Sequence, residues 1–292
     1  MKFRFIHEHR HLFPILRMCQ VLEVSENGYY NWRIRGKSKR KMDDEQLTER
    51  IEDAYHKNRG KYGSPRIHAV LKAQGIHCGR KRVARLMQEK QLYAGKKRRK
   101  AQTTNSHHRF PIASNLLKRD FTAPAPNKKW VADITFIETQ EGWLYLSGVL
   151  DIYSRKIVGW AMDKHHDADL VKTALHMALL ARQPSAGLIH HSDRGSEYAS
   201  HSYQRLLQEQ NIQASMSSKG DCYDNAMMES FWATLKEECC GQKIFSSRNE
   251  AKSAIFEYIE VYYNRKRIHS SLGYFSPVDY EKKEGEIKEV LS

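Results

Sequence analysis

Long apolar segments are missing from this sequence. None of its runs approaches the roughly 20 consecutive apolar residues that a transmembrane helix needs. The first ten residues, MKFRFIHEHR, also lack the apolar stretch of a secretory signal. We therefore expect a cytoplasmic protein with no membrane partner.

Cysteine is scarce and unpaired in its spacing. The 292 residues include five cysteines, and no Cys-x-x-Cys pair is matched by a second pair of cysteines or histidines at zinc-binding spacing. An odd number also argues against a complete disulfide framework. We interpret the five as reduced structural thiols: Cys19, Cys78, Cys222, Cys239 and Cys240.

Acidic residues are scarce at one end of the chain. Residues 1–120 contain 29 Lys or Arg against 11 Asp or Glu, whereas the remaining 172 residues contain 20 against 23. Clustered cations bind nucleic acid because phosphate contacts release condensed counterions. The asymmetry predicts an N-terminal DNA-binding region followed by a separate functional domain. The simpler alternative is a basic protein that does not bind DNA.

The basic front has the pattern of two helical units. Residues 1–42 predict a helix-turn-helix, with an apolar face at helical spacing, a turn near Glu23-Val24, and Ser25 as the cap of a second helix. The expected apolar face consists of Ile15, Leu16, Cys19, Val21 and Leu22, followed by Tyr29, Tyr30 and Trp32 on the second helix.

Residues 43–95 predict a second, helix-turn-helix-like DNA-binding domain. A helix is expected over 44–57, and a second begins with Ser64 as cap and Pro65 as first helical residue. In the third, Val83, Leu86 and Met87 share one side, and basic residues crowd the other. This is typical of a recognition helix, although a solvated basic face on a small bundle has the same pattern. The candidate DNA contacts are Arg66, Arg80, Lys81, Arg82 and Arg85.

Residues 96–126 are basic at first and proline-containing later, which predicts a linker that lies along DNA or acts as a charged tether. Beyond it the rhythm changes to extended segments. Three strands at 130–139, 143–151 and 155–163 have the spacing of an antiparallel meander, and helices and strands then alternate. We expect helices over 167–182, 200–210 and 223–240, and short strands over 187–191 and 212–217.

This order predicts an α/β (α+β) ribonuclease-H-like core over 127–245, with a mixed five-stranded sheet flanked by helices. A C-terminal helical extension is expected over 246–292. The all-α helix-turn-helix units precede this core.

The predicted fold could bring three acidic residues to one place. Asp133 falls within the first strand, Asp193 just past the fourth, and Glu229 on a helix, with 35 residues between the last two. Carboxylates that converge from separate elements can hold two Mg²⁺ ions for an in-line phosphoryl displacement. Each acid also has a plain structural role available, such as an Asx-turn at Asp193 or a solvated helix face at Glu229.

The motifs around these acids carry a resemblance that covers nearly the whole chain. The chain strongly resembles OrfB-type transposases of the IS3 family of bacterial insertion sequences. These transposases contain an integrase core with two aspartates and a glutamate. The matching segments are Val24-Ser25, Tyr62-Gly63, Arg66-Ile67, Trp130 to Thr135, His191 to Tyr198, Asp224 to Ala226 before Glu229, Tyr263-Asn264, Arg267, His269, Leu272-Gly273 and Pro277.

The resemblance implies a DNA transposase with Asp133, Asp193 and Glu229 as catalytic residues and metal ligands. Its expected cofactor is Mg²⁺, two ions, with Mn²⁺ able to substitute. The family's basic residue two helical turns after the glutamate falls on Lys236, which could reach a phosphate beside the metal. Asn225 either contacts DNA or supports the helix entry, and His191 either orients Asp193 or has a structural role.

The implied reaction is 3′-end cleavage at terminal inverted repeats and strand transfer into target DNA. Expected partners are these double-stranded DNAs, a second copy of the chain on DNA, and the upstream reading frame's product joined by frameshifting. A bacterial, nucleoid-associated location follows. Two alternatives stay open: a non-catalytic DNA-binding regulator of transposition, and a ribonuclease-H-like nuclease that hydrolyses without joining.

Overall fold

The computed structural model describes residues 1–36, 38–94, 110–217, 225–241 and 243–283. Within these ranges, no helix is both long enough and apolar enough to cross a membrane. The chain begins with two helical units and continues into a sheet covered by helices on both faces.

The first unit contains three helices around a small core of Ile6, Met18, Cys19 and Tyr29. Ser25 caps the third helix as predicted, because its Oγ accepts a hydrogen bond from the Gly28 amide at 3.0 Å. The apolar face predicted for the second helix is only partly correct, since Leu16 and Val21 are exposed in so small a unit. The helices are α1 (Lys2–His9), α2 (Ile15–Val21) and α3 (Glu26–Ile34).

The second unit packs three helices around Ile51, Tyr62, Leu71 and Val83, all fully buried. Gly63 is the N-cap and Ser64 the first helical residue, so the predicted cap was wrong by one position. The first helix begins well before residue 43, which puts the predicted boundary between the two units inside it. The helices are α4 (Lys39–Lys57), α5 (Ser64–Ala73) and α6 (Arg80–Glu89).

The first part of the predicted basic linker, residues 96–109, lies outside the described residues. The remainder does not behave as a tether, because Leu117 is 1% exposed and belongs to a core of the following sheet domain. The Leu116 amide also donates to the Ser215 hydroxyl at 2.9 Å. This segment is therefore part of the sheet domain's packing.

Five strands form one mixed sheet in the order β3-β2-β1-β4-β5. The first three pair antiparallel as a meander, whereas β4 is parallel to β1 and β5 is parallel to β4. This topology confirms the predicted ribonuclease-H-like core. The strands are β1 (Lys129–Thr139), β2 (Gly142–Asp151), β3 (Ile157–Asp163), β4 (Ile189–Ser192) and β5 (Gln213–Met216).

Helices cover one face of the sheet with an apolar cluster centred on Trp130, Val149, Ala174 and Leu207. Close approach of the first helix requires Gly159, because a Cβ there would lie 2.3 Å from the Ala174 carbonyl oxygen. The helices on this side are α7 (Ala168–Arg182), α8 (Ser196–Ala199) and α9 (His201–Glu209).

The opposite face is covered by the helix that carries Glu229 and by the C-terminal segment, through Met228, Trp232, Ile255 and Tyr258. Of the helix predicted at 223–240, the first two positions lie outside the described residues. The observed helix begins at Ala226 and changes from α to π geometry at Lys236. The elements are α10 (Ala226–Leu235), a π-helical turn (Lys236–Cys240), α11 (Arg248–Phe256), a second π-helical segment (Glu257–Tyr263), a short 3₁₀ turn (Ser270–Leu272) and a helix at 277–283.

Candidate active site

Asp133, within β1, and Asp193, the first residue after β4, lie at matching positions relative to the pairing of these two parallel strands. Trp130 of β1 is the register partner of His190 in β4, and Val131 is the partner of His191. Asp133 is two residues after Val131, and Asp193 is two residues after His191. Both aspartates are therefore at the same height along the strand direction, just beyond the last paired residues of β1 and β4. Backbone hydrogen bonding alone thus fixes the relative height of the first two acids.

Glu229 reaches the same region on α10, which is attached directly to β1. The Asn225 side-chain Nδ2 donates to the Ala132 carbonyl at 3.1 Å, and the Trp232 indole N–H donates to Asp133 Oδ2 at 3.1 Å. Asp133 is opposite Gly148 on β2, where a Cβ would lie 2.8 Å from Trp232 Cη2. A glycine at this position therefore gives Trp232 the space to approach the first acid.

The three acids influence one another electrostatically. Burial, followed by the negative charge of Asp193, raises the pKa of Asp133 to about 8, and Glu229 acts in the same direction. The Ile134 amide, at 2.9 Å from Asp133 Oδ1, and the Trp232 indole partly oppose that shift. Asp193 Oδ1 accepts a hydrogen bond from the Gly195 amide at 2.9 Å, which is the Asx-turn considered from sequence.

The residues present fit a hard divalent cation in chemistry. All three acids offer carboxylate oxygens, and a cation would counteract both the burial and the repulsion that raise the pKa of Asp133. Within the described ranges, however, no three His, Cys, Asp or Glu side chains are already grouped closely enough to hold a metal ion. The candidate ligands for such a cation are the carboxylates of Asp133, Asp193 and Glu229.

Lys236 lies at the end of α10 with its ammonium over a ring of β1. Its Nζ is 4.6 Å from the centroid of Phe136. Burial lowers the pKa of Lys236, while the nearby negative charge of Asp133 opposes that change. The structure thus brings this predicted phosphate contact into the neighbourhood of the acids.

Asn225 and His191 both have structural roles in this structure. Asn225 is buried and its side chain holds the start of α10 to β1, which is the arrangement expected of a residue that supports the helix entry. His191 is buried and bonds to the hydroxyls of Ser215, at 2.8 Å, and Ser217, at 3.2 Å. These contacts join β4 to β5 behind Asp193.

The cations predicted on α6 differ in their partners. Asp44 of α4 accepts hydrogen bonds from Arg82, at 2.5 Å, and from Arg85, at 2.7 Å, which lowers the pKa of that carboxyl. Arg80 and Lys81 are exposed and make no ion pair within the described residues. Half of the predicted basic face is therefore tied to its own domain.

Arg66, on α5, stacks over the Tyr62 ring with 5.3 Å between its guanidinium carbon and the centroid. It and the α6 cations lie in the second helical unit, apart from the three acids. Sequence reasoning did not identify Trp232 or Gly148. The one usable signal was an indole donor one helical turn after Glu229.

Family models match the chain in three places. An integrase core domain model matches residues 123–222, a second integrase core domain model matches residues 210–277, and an HTH-like domain model matches residues 42–101. These spans coincide with the sheet domain, its C-terminal helices and the second helical unit.

Curated relatives match almost end to end. The chain is 49% identical over 266 residues to an insertion element IS600 uncharacterized 31 kDa protein of Shigella sonnei, covering 91% of this chain and 98% of that one. It is 41% identical over 285 residues to the transposase InsF for insertion sequence IS3A of Escherichia coli K12, covering 97% and 99%.

Solved structures with similar chains are viral integrases of low identity. One is a simian T-cell lymphotropic virus intasome, with a TM-score of 0.46 at 14% identity over 73% of this chain and 70% of that one. Another is the HTLV-2 integrase catalytic core in complex with magnesium, with a TM-score of 0.41 at 14% identity over 55% and 99%. The strand order and the family models carry the fold assignment.

Proposed function

The chain belongs to the IS3 family of insertion-sequence transposases, and from that membership we propose that it performs Mg²⁺-dependent 3′-end cleavage and strand transfer at terminal inverted repeats. We assign Asp133, Asp193 and Glu229 as its catalytic residues and metal ligands. Proteins with this core are DDE polynucleotidyl transferases, so the reaction class follows from the family and the residue assignment is ours.

The observation that supports the assignment best is the parallel register of β1 and β4, which puts two carboxylates at one level beside the helix that carries the third. The raised pKa of Asp133 supports it further, because Asp193 and Glu229 both contribute to that shift. Clustered acids that destabilise one another without a cation are typical of metal-dependent phosphoryl-transfer sites.

Each side chain has a separate task in the proposed reaction. When bound, two Mg²⁺ or Mn²⁺ ions would activate the attacking oxygen and stabilise the leaving oxygen of an in-line displacement. The Ile134 amide and the Trp232 indole hold the carboxylate of Asp133 in place, and this carboxylate would be one of the ligands to the ions. Lys236 supplies a cation to a neighbouring phosphate oxygen, and the Phe136 ring beneath its ammonium positions that charge.

The second helical unit would bind duplex DNA through Arg80 and Lys81, which are exposed on α6. Arg82 and Arg85 contribute if Asp44 releases them. We also propose that two copies assemble on DNA, that frameshifting joins the chain to the upstream product, and that it acts at the bacterial nucleoid in the cytoplasm, where its substrate lies.

Substituting one acid tests this assignment directly. Asp193→Asn should reduce Mg²⁺-dependent cleavage of a terminal-repeat duplex by about a thousand-fold, since a metal ligand contributes several kcal/mol to the transition state. Binding of the same duplex in EDTA should be unchanged. The matched control is Asp169→Asn, an exposed acid on α7 paired with Lys172.

Normal strand transfer by Asp193→Asn would exclude the proposed site. To separate a transposase from a nuclease, a pre-cleaved terminal repeat is incubated with plasmid and Mg²⁺. Joined product is expected from the wild-type chain, whereas hydrolysis without joining would overturn the proposed strand transfer.

A further inference from the structure

A cleft of about 350 Å³ lies between the second helical unit and the sheet domain, next to the helix that carries Glu229. One wall is formed by Lys61 and Arg66, and another by Arg155 in the turn between β2 and β3. Ser230 and Thr234 of α10 complete it. Met227, Ser230, Phe231 and Thr234 of α10 line it, so at 3.6 residues per turn this wall and Glu229 are on different sides of the same helix.

The charge of the cleft suits an anion. Four cations line it against two carboxylates, a balance of +2, and one of those carboxylates, Glu238, is held by Arg267 at 2.8 Å. Within the described residues no ion pair neutralises Lys61, Arg66 or Arg155. His269 is uncharged there, because burial and the neighbouring arginines lower its pKa to about 2. These three cations come from two segments of the chain, Lys61 and Arg66 from the second helical unit and Arg155 from the sheet domain.

Specific contacts hold the two walls in one arrangement. The Ile268 amide donates to the Tyr62 hydroxyl at 2.9 Å, and Tyr62 is fully buried in the second helical unit. Arg59 pairs with Glu257 at 2.8 Å and lies 4.7 Å from the centroid of the Tyr262 ring. DNA held by the helical unit would therefore meet the sheet domain at a defined place.

We propose that this cleft, lined by Lys61, Arg66, Arg155, Ser230 and Thr234, binds the phosphodiester backbone of DNA where the second helical unit meets the sheet domain. Cations and hydroxyl donors are the groups that contact phosphate oxygens. The inference rests on the proposed function and deepens it, because it names a contact surface for the DNA substrate between the two domains.

The test measures duplex binding without metal, so that it does not depend on the chemistry of the acids. Fluorescence anisotropy of a labelled 30-base-pair duplex in EDTA is followed over a salt series. Loss of one phosphate contact should make the slope of log K against log salt shallower by about 0.9, and loss of two by about 1.8. Arg155→Gln is the single variant, and Lys61→Gln with Arg155→Gln is the double variant.

The matched control is Arg205→Gln, which makes the same charge change on α9 at the opposite face of the sheet. Its slope should equal that of the wild type. A second variant adds charge at an exposed position: Ser230→Glu should weaken binding about five-fold at low salt through repulsion of a phosphate. Because this residue is exposed, folding is not at risk.

Equal slopes for Arg155→Gln, Arg205→Gln and the wild type would overturn the cleft proposal, as would unchanged affinity in Ser230→Glu. Either result leaves the proposed transposase reaction standing if Asp193→Asn still abolishes cleavage. Conversely, shallower slopes in the cleft variants would support DNA binding in the cleft even if the assignment of the acids failed.

Discussion

Replacing Asp133 by asparagine should stabilise the metal-free protein at alkaline pH and destabilise it at acidic pH. The pKa of Asp133 is raised from 3.8 to about 8, so the folded state binds this proton more tightly than the unfolded state. Such a group contributes stability that is fully present below its ordinary pKa and is lost as pH rises through about 8. The neutral amide has no such dependence.

The size of the effect follows from the shift and from the contacts. At 1.36 kcal/mol for each pKa unit, the shift sets an upper limit of roughly 6 kcal/mol at pH 9. Water reaches the part-exposed side chain, so about 2 kcal/mol is a better expectation. An asparagine can accept only one of the two hydrogen bonds from Ile134 and Trp232, which costs about 1 kcal/mol.

Asp133→Asn should therefore gain about 1 kcal/mol at pH 9 and lose about 1 kcal/mol at pH 4. Thermal melts in EDTA should show this as an increase and a decrease in Tm of roughly 2–4 °C. The control is Asp120→Asn, because the bond from Lys129 lowers the pKa of Asp120 to about 2. Its neutralisation should lower Tm at pH 9.

Metal completes the test. Adding Mg²⁺ at ten times its Kd should stabilise the wild-type chain by about 1.4 kcal/mol and leave Asp133→Asn almost unchanged. Two results would refute this reasoning: a lower Tm for Asp133→Asn than for the wild type at pH 9, or equal stabilisation of both chains by Mg²⁺. Either would mean that the charge of Asp133 does not destabilise the metal-free protein or that Asp133 does not bind the metal.

Two further predictions concern glycine packing and the helical unit. Gly148→Ala would place a Cβ against Trp232, so we expect a stability loss of about 1–3 kcal/mol and a large decrease in cleavage with DNA binding retained. The control is Gly36→Ala, whose added Cβ meets nothing within 4 Å and which should behave as wild type. Unchanged cleavage in Gly148→Ala would contradict the role given to Trp232. Asp44→Asn should release Arg82 and Arg85, which raises the affinity for duplex DNA several-fold and makes its salt dependence steeper. The control is Asp43→Asn. An unchanged salt slope in Asp44→Asn would favour the interpretation of α6 as a solvated face of a helical bundle.

Local patterns were sufficient to predict which elements carry the acids. The strand containing Asp133, the strand before Asp193 and the helix containing Glu229 all follow from periodicity and turn residues. The mixed sheet was predictable as well, because three closely spaced strands form a meander and later strands separated by helices pair in parallel.

Contacts between distant segments were not predictable in the same way. The bond from Trp232 to Asp133 depends on a missing side chain at Gly148, on a third element. The pairing of Asp44 with Arg82 and Arg85 depends on how α4 crosses α6. Neither relation leaves a periodic trace in the sequence, because each is set by tertiary packing.

The attachment of α10 to β1 couples the third acid to the first. Asn225 and Trp232 both bond to β1, at Ala132 and Asp133, on either side of Glu229 along the helix. Any shift of α10 would therefore move Glu229 and change the hydrogen bonding of Asp133 at the same time. Because the cleft formed with the second helical unit also uses this helix, DNA that enters it would act on the same element. DNA binding and assembly of the three acids should consequently be coupled through α10.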